Sequence, residues 1–328
     1  MQSEAATPKK RFIESSSFYR NCELNDPFSS MKIDDAQFLD NVPTRGTCSV
    51  CNRSRKYYCY TCYVPVKEIS DRLPIVNLPI KIDIIKHPKE VDGKSTSAHA
   101  AVLAPDDVKI YNYPDFPSYE NERVLLIFPG KSAIPFQEWW KRTIQSQDSF
   151  DNSSCSKQLA DFNEVLTHKE TDGIIHGSDS VVPSLDDSSI QTLGKEQTKI
   201  MNLPFSKVIF IDSTWRQSKA MYSDPRLKNL PCIMLQAYKS LFWRYYREKL
   251  DTHLSTIEAI YYFLVEYHLL LHPEVPYTGQ YDNLLFFFKF MYFKIRTLYD
   301  PLKLKAYQTT DSETVTEFQN LKIADQSQ

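Results

Sequence analysis

Three apolar runs constrain the fold of this chain more than any other feature. Ile80-Lys81-Ile82-Asp83-Ile84-Ile85 alternates and then runs apolar, while Val124-Leu125-Leu126-Ile127-Phe128 and Val208-Ile209-Phe210-Ile211 are apolar throughout. Short β-branched and aromatic runs of this kind mark strands buried on both faces, as in a parallel sheet. Val108 to Tyr111 and Ile233-Met234-Leu235 are further strand candidates. Helical patterns lie between and after them: a short one over 136–144, one after Trp215, and one over 281–299. Another is opened by Ser255-Thr256-Ile257-Glu258, a capping box, with Ile257, Ile260, Tyr261, Leu264 and Leu271 on one face. Strands alternating with helices predict an α/β fold with a mainly parallel sheet.

Chemistry gathers where the strands end. The Val208 run delivers Asp212, Ser213, Thr214, Trp215 and Arg216 together, and open α/β sheets bind ligands at that edge. The alternative is an ordinary strand-to-helix turn, with Asp212 or Ser213 capping a helix that begins near Arg216. The Val124 run ends in Pro129-Gly130, a turn at which backbone approaches a ligand closely. With seven glycines in the whole chain there is no glycine-rich dinucleotide fingerprint. His87-Pro88-Lys89-Glu90 follows the Ile80 run. There Pro88 turns the chain, and His87 is either a site residue or part of a capped turn.

Cys48-x-x-Cys51 and Cys59-x-x-Cys62 are separated by seven residues. Two such knuckles complete a tetrahedral Zn²⁺ shell with no open position, so a bound zinc would be structural. A redox pair or free thiols are the alternatives. Arg53, Arg55 and Lys56 interleave with Tyr57, Tyr58 and Tyr60, a mixture suited to RNA phosphates and bases, or else to a solvated knuckle surface.

Charge is divided along the chain. From Gln145 to Leu203 four lysines face ten carboxylates, and this polar stretch is expected to be a disordered insertion with one short helix near Lys157 to Leu166. From Arg216 to Lys249 eight basic residues face Asp224 and Glu248, a local positive field that attracts phosphates. The expected organisation is a disordered segment at 1–40, a four-cysteine segment at 41–70, a catalytic domain at 71–308 with its insertion at 145–203, and a disordered tail at 309–328. No apolar run reaches membrane-spanning length, and Met1 to Arg11 lacks the apolar core of a secretory signal. Lys9-Lys10-Arg11 fits nuclear import or a solvated charge run; nucleus is expected, with cytoplasm as the alternative.

The ordered set of Cys-x-x-Cys pairs, HPKE, LLIFPG, IDSTWRQSKAM and LSTIEAIYYF resembles the DTW-domain family over about residues 40 to 300. The resemblance implies a SPOUT-like fold, mainly parallel and knotted in its C-terminal part. It also implies a tRNA-uridine aminocarboxypropyltransferase that moves the 3-amino-3-carboxypropyl group of S-adenosylmethionine to a uridine imide nitrogen, in the D-loop, and leaves methylthioadenosine. An RNA methyltransferase of the SPOUT class and a non-catalytic, zinc-containing RNA adaptor are the alternatives. On the family reading Asp212 takes the imide proton, Thr214 orients it or bonds the uracil edge, and Trp215 stacks the base or is simply core. Arg216 and Arg244 hold the methionyl carboxylate or an RNA phosphate. The cofactor-side residues it implies are Phe128, Pro129, Gly130, Ser255, Thr256, Glu258 and Ala259. Ser255 and Glu258 are also accounted for by the capping box. Where many members have Asp-Gly-Thr-Trp this chain has Ser213, so the turn is not expected to need a left-handed residue. A monomer is expected.

Overall fold

The structure, a computed structural model, describes residues 26–144, 203–243 and 252–298. Nearly all of the polar insertion, its short helix, the tail and Arg244 lie outside the described residues. In chain order the elements are β1 (Gly46–Thr47), β2 (Ser54–Arg55), β3 (Lys81–Lys86), α1 (Ser97–Leu103), β4 (Val108–Asn112), β5 (Val124–Ile127), β6 (Ile134–Pro135), β7 (Lys207–Asp212), α2 (Trp215–Tyr222), α3 (Pro225–Lys228), β8 (Cys232–Met234), α4 (Thr256–Leu271) and α5 (Phe286–Leu298). A helical segment also covers 136–144. The 281–299 pattern resolves into a 3-10 turn over Asp282–Leu285 and then α5.

The chain forms two compact units, and these cut across the boundaries expected from composition. One draws on Met1–Leu78, Glu90–Val108 and Ala237–Gln328; the other on Pro79–Lys89 and Lys109–Gln236. In the first unit the cysteine segment does not stand alone. Tyr57 packs edge-on against Phe290 at 5.4 Å, and Tyr58 lies 4.7 Å from Phe287, both on α5. Residues 26–40, placed in the disordered segment by their polarity, are anchored on the same helix. Phe28 and Leu39 are fully buried, and Phe28 meets Tyr292 at 5.3 Å. The Asp282 carboxylate holds this end together, accepting from Lys32 N–H at 2.6 Å and from the Tyr261 and Tyr277 hydroxyls at 3.0 and 2.8 Å. The short α1, buried along its whole length and rich in alanine, had no amphipathic period to announce it.

The second unit is built on a six-stranded sheet of order β4-β3-β7-β5-β8-β6. β7 pairs in parallel with both β3 and β5, and β8 in parallel with β5 and β6. β7 therefore enters between two strands that precede it in the chain. The apolar runs explain why these strands are central: β5 is buried at every position and β3 at all but its first. Ile85, Leu126 and Ile209 share one face with Phe116, Tyr119, Met221 and Leu227 in a single core cluster. By the two-residue alternation of strands, Ile84, Lys86, Phe210 and Asp212 point to the other face.

Among the described residues of this unit, buried polar side chains have partners. Asp83, on the cluster side of β3, accepts from the Tyr119 hydroxyl at 3.0 Å and pairs with Lys207 at 3.2 Å; Lys207 also pairs with Glu122. Burial opposes the Lys207 charge, but the two carboxylates outweigh it and hold the ammonium above its usual range. Asp224 caps α3 by accepting Arg226 N–H at 3.0 Å and binds the same guanidinium. That guanidinium, lying 3.7 Å over the Phe116 ring, holds the Asp224 carboxyl below its usual range. Asp224→Ala is expected to cost about 1 kcal/mol at neutral pH. Because the folded-state pKa is depressed, the contribution exists above the ordinary carboxylate range and disappears as pH falls through the lowered value. Thermal melting of both proteins at neutral and acid pH checks this, and a gap that survives acidification contradicts it.

Candidate active site

The sheet register assembles the carboxyl edge of the second unit. Lys86, the last residue of β3, is the parallel partner of Asp212, the last residue of β7, and Ile127 of β5 is the partner of Phe210. The strands are stitched once more beyond their ends, where His87 N–H donates to the Asp212 carbonyl at 2.9 Å. Three turns distant in sequence, beginning at His87, Ser213 and Phe128, thus leave the sheet at one edge. Asp212 and Lys86 are both 5% exposed and stand side by side on the same face.

The strand-to-helix turn differs from the capped turn considered from sequence. α2 starts at Trp215, and its cap is Thr214. Gln217 Oε1 accepts from the Thr214 N–H at 3.1 Å and from its hydroxyl at 2.8 Å, which makes a reciprocal capping box. The capping work falls on Thr214 and Gln217, so the Asp212 carboxylate is not the helix cap. The Thr214 hydroxyl proton is committed to Gln217 and does not orient Asp212. Ser213, half exposed, donates weakly to the Thr214 carbonyl at 3.3 Å. Its φ is not in the left-handed region, as a residue other than glycine requires. Arg216 is exposed on the first turn of α2.

His87 closes its own turn: Nδ1 accepts Lys89 N–H at 3.0 Å, which puts the proton of the neutral ring on Nε2. At the third turn Phe128 is an anchor. Its ring stacks on Tyr222 at 4.9 Å, its N–H donates to the Ile233 carbonyl, and its carbonyl accepts from Gly130 N–H and the Cys232 thiol. Pro129 and Gly130 carry the chain back over that anchor.

Ser255, Thr256, Glu258 and Ala259 lie in the first unit, at the start of α4. The Glu258 carboxylate is 2% exposed and accepts four hydrogen bonds, from Ser255 N–H and hydroxyl, Ser240 hydroxyl and Leu241 N–H. Burial raises its pKa in spite of those donors. Three of these donors converge on Oε2, and the Leu241 N–H goes to Oε1. Ile257 N–H donates to Thr96 Oγ1 and Ala259 N–H to the Ser255 carbonyl. The geometry of this helix start is that of a closed capping box.

The cysteines form a compact centre in the first unit. Their four sulfurs lie within 4.8 Å of one another, with Cys51 and Cys59 at 3.6 Å. Zinc–sulfur bonds of about 2.3 Å place tetrahedral sulfurs roughly 3.8 Å apart, so the cluster fits that ion. The two knuckles repeat one backbone plan. Asn52 and Tyr63 follow them with φ of 57° and 58°, and each donates its N–H to the first cysteine's carbonyl, at 3.0 and 2.7 Å. Sulfurs of Cys48 and Cys59 accept backbone N–H groups inside their knuckles. Burial alone would raise the Cys59 thiol, but the Thr61 and Cys62 N–H groups and the Arg55 guanidinium hold it down to about 6. Arg55 is buried, donates to Cys59 Sγ at 3.3 Å and lies 3.9 Å over the Tyr60 ring. Arg55, Tyr57 and Tyr58 are thus occupied inside the unit; of the basic residues in the aromatic-basic mixture, Arg53 is the exposed one.

The sequence profile of the DTW domain matches residues 56–296. This chain belongs to the DTW-domain family. The match runs from the second knuckle to α5 and takes in the HPKE, LLIFPG, IDSTWRQSKAM and LSTIEAIYYF motifs; the first knuckle precedes it. Curated DTW relatives include a Mus musculus protein 42% identical over 275 residues (81% of this chain, 83% of the relative) and a Xenopus tropicalis protein 39% identical over 288 residues (86% and 89%). A Homo sapiens protein is 41% identical over 272 residues (81% and 83%). Each is named tRNA-uridine aminocarboxypropyltransferase 1. No solved structure matches the chain.

Within this DTW domain the sheet brings Asp212, Thr214, Trp215 and Arg216 to the same edge as Phe128, Pro129 and Gly130. Sequence reasoning missed Lys86 and Tyr222. A lysine closing an apolar strand just before HPKE was a usable signal, because an ammonium at that point is either buried beside a carboxylate or turned to water. Tyr222 offered no signal before the loop that it touches was known. Among the described residues no helix is long and apolar enough to cross a membrane.

Proposed function

We infer that this chain transfers the 3-amino-3-carboxypropyl group of S-adenosylmethionine to the imide nitrogen of a uridine in tRNA. The observation that carries this reading is similarity over 81–86% of the chain, at 39–42% identity, to relatives named for that transfer. The polar edge centred on Asp212 supports it. S-adenosylmethionine supplies a carbon activated by the neighbouring sulfonium. The imide nitrogen attacks that carbon, the carbon–sulfur bond breaks with its electron pair remaining on sulfur, and methylthioadenosine leaves. The imide proton passes to the Asp212 carboxylate, a general base at the strand end. Trp215 stacks the uracil, and Arg216, with Arg244, neutralises a phosphate or the methionyl carboxylate. Thr214 contributes by setting the turn.

Phe128, Pro129 and Gly130 form one cofactor-side segment, with Phe128 as its anchor. Ser255, Thr256, Glu258 and Ala259 are retained as a second on the strength of the resemblance, Glu258 acting through Ser255. Cys48, Cys51, Cys59 and Cys62 hold a structural Zn²⁺; sulfur spacing and the twin knuckles support this. A SPOUT-like knotted topology, in which β7 returns between earlier strands, is the fold we propose for the sheet. The uridine lies in the D-loop, the protein is a monomer, and Lys9-Lys10-Arg11 favours the nucleus.

Incubation with tRNA and S-adenosylmethionine tests the reaction. Methylthioadenosine formed in step with modified uridine is the expected result. S-adenosylhomocysteine would identify a methyltransferase instead, and tRNA binding with neither product would identify an adaptor.

A further inference from the structure

We propose that Tyr222 is a positioning residue for the donor-binding loop, fastening the Phe128–Ser132 turn to the helix that the Asp-Ser-Thr-Trp motif opens. This rests on the reading of Phe128 to Gly130 as a cofactor-side segment. Tyr222 is the last residue of α2, ten positions after Asp212. Its ring stacks on Phe128 at 4.9 Å with 30° between planes, and its hydroxyl lies 2.9 Å from the Ser132 hydroxyl. Between those two contacts the loop passes directly over the ring. A Cβ placed on Gly130 would stand 2.9 Å from both Cζ and the hydroxyl oxygen of Tyr222, closer than real Cβ contacts come. The Cys232 thiol, donating to the Phe128 carbonyl at 3.1 Å, fixes the same turn from β8.

Three successive parts of the loop are thus gauged by one side chain: Phe128 by stacking, Gly130 by steric limit, and Ser132 by a hydrogen bond. Gly130 is needed because its Cα rests on the ring; its φ is negative, so conformational freedom is not the reason. α2 also begins at the base-bearing turn. One rigid two-turn helix therefore sets the acceptor side at its first residue and the donor loop at its last. Transfer of the aminocarboxypropyl group in place of the methyl depends on how the sulfonium is aimed, and a displaced loop changes that aim.

The test is a double-mutant cycle on Gly130→Ala and Tyr222→Leu, with Tyr222→Phe and Ser132→Ala as milder variants. Dissociation constants for S-adenosylmethionine and tRNA are measured separately by calorimetry, and thermal melting and product ratio are recorded for each protein. Gly130→Ala and Tyr222→Leu are each expected to weaken S-adenosylmethionine binding by about tenfold with tRNA affinity within about twofold, and the double variant to recover part of the Gly130→Ala loss because the smaller side chain makes room. Tyr222→Phe keeps the stack but loses the Ser132 bond, so it is expected to match Ser132→Ala and to weaken S-adenosylmethionine binding less than Tyr222→Leu does. Additive effects, unchanged S-adenosylmethionine affinity, or equal losses for both ligands with a lowered melting point overturn the proposal. The cycle uses binding alone, so wild-type formation of S-adenosylhomocysteine would overturn the reading of the reaction while the loop inference is still scored.

Discussion

Asp212→Asn is expected to lower the rate of methylthioadenosine formation on tRNA by about 10²–10⁴-fold, the range over which a positioned general base contributes. The substitution keeps the shape of the side chain and removes its ability to take a proton. Capping of α2 is carried by Thr214 and Gln217, so the substitution leaves the helix cap in place. The backbone bond from His87 N–H uses the Asp212 carbonyl and is untouched. Affinity for tRNA and S-adenosylmethionine is expected to change little, so the loss should appear in kcat rather than KM. Asp212 is buried beside Lys86, so melting must be measured too, and Asp212→Glu supplies a second carboxylate of different reach. Activity of Asp212→Asn within about threefold of wild type would show that the proton goes elsewhere.

Cys59→Ser is expected to abolish stoichiometric zinc binding and to unfold the knuckle segment. Structural zinc contributes on the order of 10 kcal/mol or more, far beyond what two-residue strands such as β1 and β2 hold by themselves. Cys59 is the most connected of the four, accepting from Arg55 and from its own knuckle while lying 3.6 Å from Cys51. Loss should spread along the first unit, because Tyr57 and Tyr58 pack on α5. Hydrogen exchange is expected to accelerate over residues 46–66 and then over α5, with metal content falling below one equivalent. Acidification should act in the same direction, since the ligands bind zinc as thiolates. A Cys59→Ser protein with full zinc content and unchanged protection of α5 would refute a structural metal.

Legibility from sequence depended on how local each signal was. The β3, β5 and β7 runs were readable because strands buried on both faces must be apolar along their whole length. The Ser255 capping box was readable because its hydrogen bonds span three residues. Features that depend on folded geometry were not. Arg55, open from sequence to an RNA contact or a solvated surface, is buried against Cys59 Sγ four residues on. Residues 26–40 looked too polar to fold, yet Phe28 packs on Tyr292 and Phe38 on Phe286, both on α5.

The sequence alone determined the α/β class, the thiol spacing and the polar cluster at the end of the Val208 run, since each is written in neighbouring residues. Only the tertiary structure decided what surrounds that cluster. By placing β7 between β3 and β5 it set Asp212 beside Lys86, gave the capping role to Thr214, and laid Gly130 against Tyr222. Strand order and register are long-range choices, fixed by which faces bury together, and no window of sequence contains them.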